Sequence, residues 1–217
     1  MSVINCFTDA SVYNETACAG YVLVCNGKII EQETQILYDK TNNFGEAYAV
    51  FLGVAALIRY AGMNCFLNLY SDSKITVDGI RRWMKGWIKR QDDNGIIYSS
   101  SGSPVINQNI LKNIIYIIHH SNVPINIYHQ LGHKDPNSVK DVQYVQEKFL
   151  KFNGVSISEE LAKEICHYND YIDNLTRNTL YDTKKNNIPF SNFGVRNIYG
   201  RLVDNHIYGN FTQLINR

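Results

Sequence analysis

Short apolar runs separated by turn residues open the chain. SVINCFTDASV, from Ser2, reads as a strand, and CAGYVLVCNGKIIEQETQIL, from Cys18, reads as two more folded back on each other at Asn26-Gly27. Asn-Gly between apolar runs is a strong hairpin signal, because both residues accept the positive φ that a tight turn demands. The period then lengthens. In TNNFGEAYAVFLGVAALIRYAG, from Thr41, Ala47, Val50, Phe51, Val54 and Leu57 recur every three or four residues, which predicts a helix with a stop at Gly62. CFLNLYSD returns to strand character and ends on Asp72.

DSKITVDGIRRWMKGWIKR is a second helical stretch, followed by the loop YSSSGSP and a helix over INQNILKNIIYIIHH. VPINIYHQLGH predicts a fifth strand ending at His133, and KDPNSVKDVQYVQEKFLKFNG an additional helix. SISEELAKEICHYNDYIDNLTRNTL predicts a long helix, with Ser158 as its N-cap and glutamates in its first turn. The final 35 or so residues are polar and rich in Asn and Tyr, and no repeat is present. The order β-β-β-α-β-α-α-β-α implies an α/β fold: a five-stranded mixed sheet, three antiparallel strands first, flanked by helices.

The chain has 217 residues, 45% of them hydrophobic, enough for one domain with an appendage to bury its own core. A net charge of +1 means that any polyanion would have to meet a local patch. Five scattered cysteines without CxxC spacing suit free thiols in a reducing compartment. Neither a signal peptide nor an apolar run long enough to cross a membrane is evident, so a soluble, cytoplasmic, monomeric protein is expected.

Three acids punctuate this pattern: Asp9 late in the first strand, Glu46 one turn into the first helix, and Asp72 at the end of the fourth strand. Singly, they read as a turn residue, a solvated position and an N-cap. Together they gain meaning, because functional groups in open α/β sheets gather at the carboxyl ends of parallel strands. If the first and fourth strands are neighbours, Asp9 and Asp72 meet, and an acid on the last helix could complete the group. Clustered carboxylates repel and require cations, and oxygen-only ligands suit Mg²⁺ or Mn²⁺.

Several segments resemble ribonuclease H of type 1, in consistent order from about residue 3 to 180. They are FTDAS, KTNNFGEAYAV, YSDSKITVDGIRRWMKGWIKR, SPVINQNIL, QLGH and YNDYIDNLTR, the last with Thr176 where the family motif has Ala. The resemblance implies an RNase H-like fold and a metal-holding catalytic tetrad of Asp9, Glu46, Asp72 and Asp173. Asp170 competes for the last place, and Asn169 and Leu175 align the motif in favour of Asp173. His133 would be the loop histidine that assists proton transfer or product release, while His129 reads as structural. Two Mg²⁺ ions, replaceable by Mn²⁺, would cut the RNA strand of an RNA–DNA hybrid to 5′-phosphate and 3′-hydroxyl ends. Asn14, Asn43 and Glu46 are candidates for reading 2′-hydroxyls, and Thr41 for a DNA-phosphate pocket.

The basic stretch places Arg81, Arg82, Lys85, Lys89 and Arg90 among Trp83 and Trp87. A solvated face over buried tryptophans is the ordinary reading of such a helix. Two indoles with five cations favour nucleic-acid contact through Trp83, Lys85, Trp87 and Lys89. The chain also departs from the family. His133 and Asp173 stand 40 residues apart where about ten are usual, so a helical insertion spans about 134–160 of a catalytic domain 1–180. Phe44-Gly45 replaces the usual pair before the glutamate, which should alter local substrate contacts. An extension over 181–217 matches nothing in the family, and either it or the insertion is a candidate surface for a replication-protein partner. The rival readings are a non-catalytic hybrid-binding module and a structure-specific nuclease of the same superfold. The four acids weigh against the first, and the tryptophan-bearing basic stretch against the second.

Overall fold

The computed structural model describes residues 2–38, 40–121 and 124–185, omitting the Lys184 side chain; the extension beyond 185 lies outside the described residues. β1 (Ser2–Tyr13), β2 (Thr16–Cys25) and β3 (Lys28–Tyr38) form an antiparallel meander. Two two-residue turns make it. Asn26-Gly27 takes φ of 51° and 70°, as its sequence predicts, and Asn14-Glu15 takes 45° and 60°. Two successive positive φ values match the turn twist to that of the strands, here achieved once without glycine. β4 (Cys65–Ser71) lies parallel to β1, and β5 (Ile125–His129) parallel to β4, giving the order β3-β2-β1-β4-β5. This is the expected five-stranded mixed sheet.

α1 (Asn42–Ile58) and α4 (Gln108–Ser121) cover one face of the sheet, burying Ala49, Val50, Val54, Leu57 and Ile114 against Cys6, Leu23 and Leu69. α1 approaches unusually closely. A Cβ at Gly53 would stand 2.7 Å from Thr8 Cγ2, and one at Gly45 3.0 Å from Ala10 Cβ. Gly45 is half of the pair that departs from the family, and its missing side chain lets the start of α1 sit on β1.

α5 (Val139–Asn153) and α6 (Glu159–Lys185) cover the opposite face. Two side-chain rows cross it. In the first, the Asn126 amide donates to Asn68 Oδ1 at 3.0 Å, Asn68 to Asn5 Oδ1 at 3.1 Å, and Asn5 to Glu164 at 3.0 Å. In the second, two residues further along each strand, Phe7, Tyr70 and Tyr128 stack with centroids 5.0 and 5.5 Å apart. Val142, Val145 and Phe149 of α5 and Ile165, Cys166 and Ile172 of α6 close over the aromatic row. The predicted additional helix thus exists as α5, inside the 134–160 insertion, and α6 runs past the boundary expected at 180.

The basic stretch is not one uniform helix. It comprises α2 (Lys74–Asp78), a π-helical turn over Gly79–Trp83, and α3 (Met84–Ile88). A π turn inserts a residue into the helical ladder and re-aims the side chains that follow. No disulfide forms among the five cysteines. No helix among the described residues is long and apolar enough to cross a membrane.

Candidate active site

A third row follows the aromatic one. The β1–β4 pairing ends with Thr8 opposite Ser71, and the next residue of each strand is Asp9 and Asp72. Gln130 extends the row beyond β5, its amide donating to Ser71 O at 3.0 Å. Thr41 caps α1 by accepting from Phe44 N at 3.3 Å, and the helix brings Glu46 in from the other layer. α6 supplies the buried Asp173, which lies over β1 because Thr176 seats against Gly20, where a Cβ would come within 3.0 Å of its Cγ2. Thr176 Oγ1 also meets Ser11 Oγ at 3.0 Å. The residue that departs from the family's alanine therefore locks α6 to the first hairpin.

The four acids converge. Burial, then Asp72, with Asp173 and Glu46 beyond it, pushes Asp9 up to about 8. Burial, then Glu46, with Asp173 also contributing, pushes Asp72 up to about 6. Two carboxyl groups raised by burial and by neighbouring acids, Asp9 the more strongly, mark a concentration of negative charge. Three of the four acids also accept from a local donor. Asp9 Oδ1 accepts from Ala10 N at 2.7 Å, Glu46 from Asn42 at 2.7 Å, and Asp173 from Arg177 at 2.5 Å. Accordingly, no three His, Cys, Asp or Glu among the described residues are drawn in tightly enough to hold an ion as they stand. The donor set is nonetheless what a hard divalent cation requires: carboxylate oxygens, partly desolvated and mutually repelling. Asp170, the competing acid on α6, is exposed and bonded to Asn174.

His133 comes to the same place. It adopts φ of 54°, its ring is exposed, and its Nδ1 lies 3.8 Å from Asp173 Oδ2. The loop leading to it presses on the site: a Cβ at Gly132 would sit 2.8 Å from Asp72 Oδ2. His129 is different. It is buried, its Nε2 donates to Asp72 O at 3.2 Å, and burial lowers its pKa, so it stays neutral as a structural residue. Behind the acids Gln130 and Asn169 are buried and bonded to each other at 2.5 Å, with Gln130 Oε1 and Asn169 Nδ2 left unpaired. Gln130 and Arg177 fall inside the QLGH and YNDYIDNLTR segments, Arg177 one helical turn after Asp173, but neither stands out there by its chemistry. Asn153, described below, lies in no such segment.

A family model described as RNase H matches residues 1–148. The chain belongs to the RNase H family. The expected enzyme class, a ribonuclease H, stands with that membership. The match stops within α5, ahead of Asp173 on α6. Ribonuclease H of Erythrobacter litoralis is 34% identical over 116 residues, covering 53% of this chain and 74% of the relative. Ribonuclease HI of Xylella fastidiosa is 28% identical over 115 residues, covering 52% and 71%. Among solved structures, LC11-RNase H1 in complex with an RNA/DNA hybrid aligns with a TM-score of 0.44 at 14% identity, over 70% of this chain and 93% of that one. RNase H1 of Halobacterium salinarum aligns with a TM-score of 0.40 at 16% identity, over 58% and 84%.

The residues expected to meet nucleic acid in this RNase H divide into groups. Asn43, Trp83 and Trp87 line one cleft of about 280 Å³, together with Thr76, Pro104 and Ile106. Thr41 adjoins Asn43, and Asn14 lies in the first hairpin turn, whose Glu15 O accepts from Lys40 N at 2.9 Å. The two tryptophans differ: Trp83 is 41% exposed, whereas Trp87 is only 9% exposed and packs with Met84, Ile97 and Leu111. Trp87 thus belongs chiefly to a satellite core while lining the cleft with its edge, and Trp83 presents more of its ring. The cations also separate. Arg81 and Arg82 reach α5, bonding Asn153 and Phe152 O at 2.8 Å each, and Arg90 donates to Tyr98 O. Lys85 and Lys89 are exposed, and Lys85 lines a second cavity of about 430 Å³ beside β5 rather than the tryptophan cleft.

Proposed function

We propose that this protein hydrolyses the RNA strand of RNA–DNA hybrids at the cluster of Asp9, Glu46, Asp72 and Asp173. One observation carries the reading: four elements deliver four carboxylates to one place, where they hold Asp9 and Asp72 well above the usual carboxylate range. A binding module would gain nothing from that repulsion, whereas a catalyst using divalent cations needs it. The four acids would hold two Mg²⁺ ions, replaceable by Mn²⁺, with Asp9 offered from a central strand of the sheet. When bound, the ions supply activation of the attacking water and stabilisation of the leaving 3′-oxygen. The products are then 5′-phosphate and 3′-hydroxyl ends.

The chain's own groups do the rest. Asp173 would be one of the residues that hold the cation, and the Arg177 guanidinium that bonds it at 2.5 Å would supply positive charge at the same place. His133, 3.8 Å from Asp173, is placed to pass a proton or to hasten departure of the product. Asn14 and Asn43 would read 2′-hydroxyls, and Thr41 would sit in the DNA-phosphate pocket. Trp83 offers an exposed ring for stacking or sugar contact, and Lys85 and Lys89 add charge along the backbone.

The test is cleavage of a labelled RNA–DNA hybrid with Mg²⁺, beside duplex RNA, duplex DNA and branched DNA, with Asp72→Asn as control. Hybrid-only cleavage that disappears in Asp72→Asn is expected. Tight hybrid binding without cleavage would replace this reading with that of a binding module, and preferential cutting of branched DNA with that of a structure-specific nuclease.

A further inference from the structure

The insertion ends where the active-site edge begins. Asn153 is the last residue of α5, is 8% exposed, and precedes Gly154, whose φ of 73° turns the chain away. Its side chain does what a neighbouring strand would do. Asn153 Nδ2 donates to His129 O at 2.7 Å, while His129 N donates to Asn153 Oδ1 at 3.0 Å. His129 is the last residue of β5, the edge strand, so one side-chain amide satisfies both backbone groups of the strand end. The same Oδ1 accepts from Arg81 of the π-helical turn at 2.8 Å. The Phe152 ring lies 4.6 Å from the His129 ring.

Three residues at and beyond that anchor meet the acids. The His129 ring holds Asp72 O at 3.2 Å, Gly132 abuts the Asp72 carboxylate, and His133 lies 3.8 Å from Asp173. An unpaired strand end frays, and a loop leaving it inherits the motion. The anchor itself is rigid: Ser138 caps α5, and Val142, Val145 and Phe149 bury its inner face.

We propose that Asn153 is a positioning residue: it fixes the end of β5, and with it the Gln130–His133 loop over the acids, and ties this edge to the basic segment through Arg81. The catalytic consequence rests on the function proposed above; the anchoring of the loop does not.

Two measurements on the full chain test it, with Asn153→Ala, Asn153→Asp and Val142→Ala compared with the wild type. Val142→Ala weakens the same helix without touching the anchor. The first measurement is amide exchange of segment 129–134, corrected for global stability by denaturant melting. Asn153→Ala should exchange at least about tenfold faster there, and Val142→Ala at the wild-type rate. Asn153→Asp should resemble Asn153→Ala, because a carboxylate cannot donate to His129 O. The second is hybrid cleavage under conditions where every variant is folded. Asn153→Ala should lose about tenfold in kcat with KM within about twofold, and should lose nothing further in a His133→Ala background. Exchange no faster than in Val142→Ala overturns the proposal, as does an unchanged kcat in an active enzyme. If the wild type does not cut hybrids, the functional reading fails, while exchange still decides whether Asn153 holds the loop.

Discussion

Two rows on one face of the sheet, one step apart along the same strands, behave in opposite ways. Phe7, Tyr70 and Tyr128 stack under α5 and α6. Asp9, Asp72 and Gln130 follow them at the strand ends, where burial, each other and the incoming Glu46 and Asp173 raise the acids' proton affinity. Register and backbone are shared, so side-chain chemistry accounts for the difference. The aromatic row gains by excluding water. The acid row is held in an unfavourable state by its neighbour, which is how a fold keeps repelling charges poised for a cation. The site is rigid because the row behind it is stable.

The largest effects should come from breaking either row. Asp9→Asn should lower hybrid cleavage by about a thousandfold or more while hybrid affinity stays near wild type, since a cation ligand goes and the basic surface remains. Steady-state cleavage beside filter binding measures both. Phe7→Ala should destabilise the protein by about 3–5 kcal/mol in denaturant unfolding, because a ring wholly excluded from water leaves a cavity under α6.

A smaller effect has the opposite sign. Asp9 titrates near 8 when folded, against an ordinary 3.8, so its contribution to stability is complete below about pH 4 and lost as pH rises through 8. In EDTA, Asp9→Asn should therefore be more stable than the wild type at pH 9, by about 2 kcal/mol after screening, and no more stable at pH 4. Thermal melts at the two pH values would show it, and Mg²⁺ should erase the gain. Smallest is the surface term. Lys85→Ala with Lys89→Ala should flatten the salt dependence of hybrid binding by about 2 in log–log slope, read from affinities between low and moderate salt.

How much of this was legible follows from the range of each interaction. β1 to β5 and the Asn26-Gly27 turn were readable because alternation and turn chemistry act over a few residues. Asp9 and Asp72 were readable because acids ending apolar runs contradict their surroundings. Asn14-Glu15, lacking glycine, gave no comparable signal, and the π turn at Gly79–Trp83 left the apparent helical period intact. Trp83 and Trp87 look equivalent in sequence, and only packing against Ile97 and Leu111 separates them. Arg81 and Arg82 were counted as nucleic-acid cations, yet their partners lie some 70 residues away in the insertion. Asn153 was invisible for the same reason: its partner, His129, is 24 residues distant and is met through its backbone.

The asparagine row deserves a last consequence. Asn126, Asn68 and Asn5 pass donors in one direction to Glu164, across three parallel strands. Aromatic rings and aliphatic chains would tolerate a strand sliding by two residues, because such a slide keeps the same side chains facing inward. The amides would not. Shifted by two, the half-buried Asn68 amide would lose Asn5, at a cost of about 1 kcal/mol. The row works as an alignment key, cut four residues upstream of the acids, and the misaligned sheets it rejects are those in which Asp9 and Asp72 never meet.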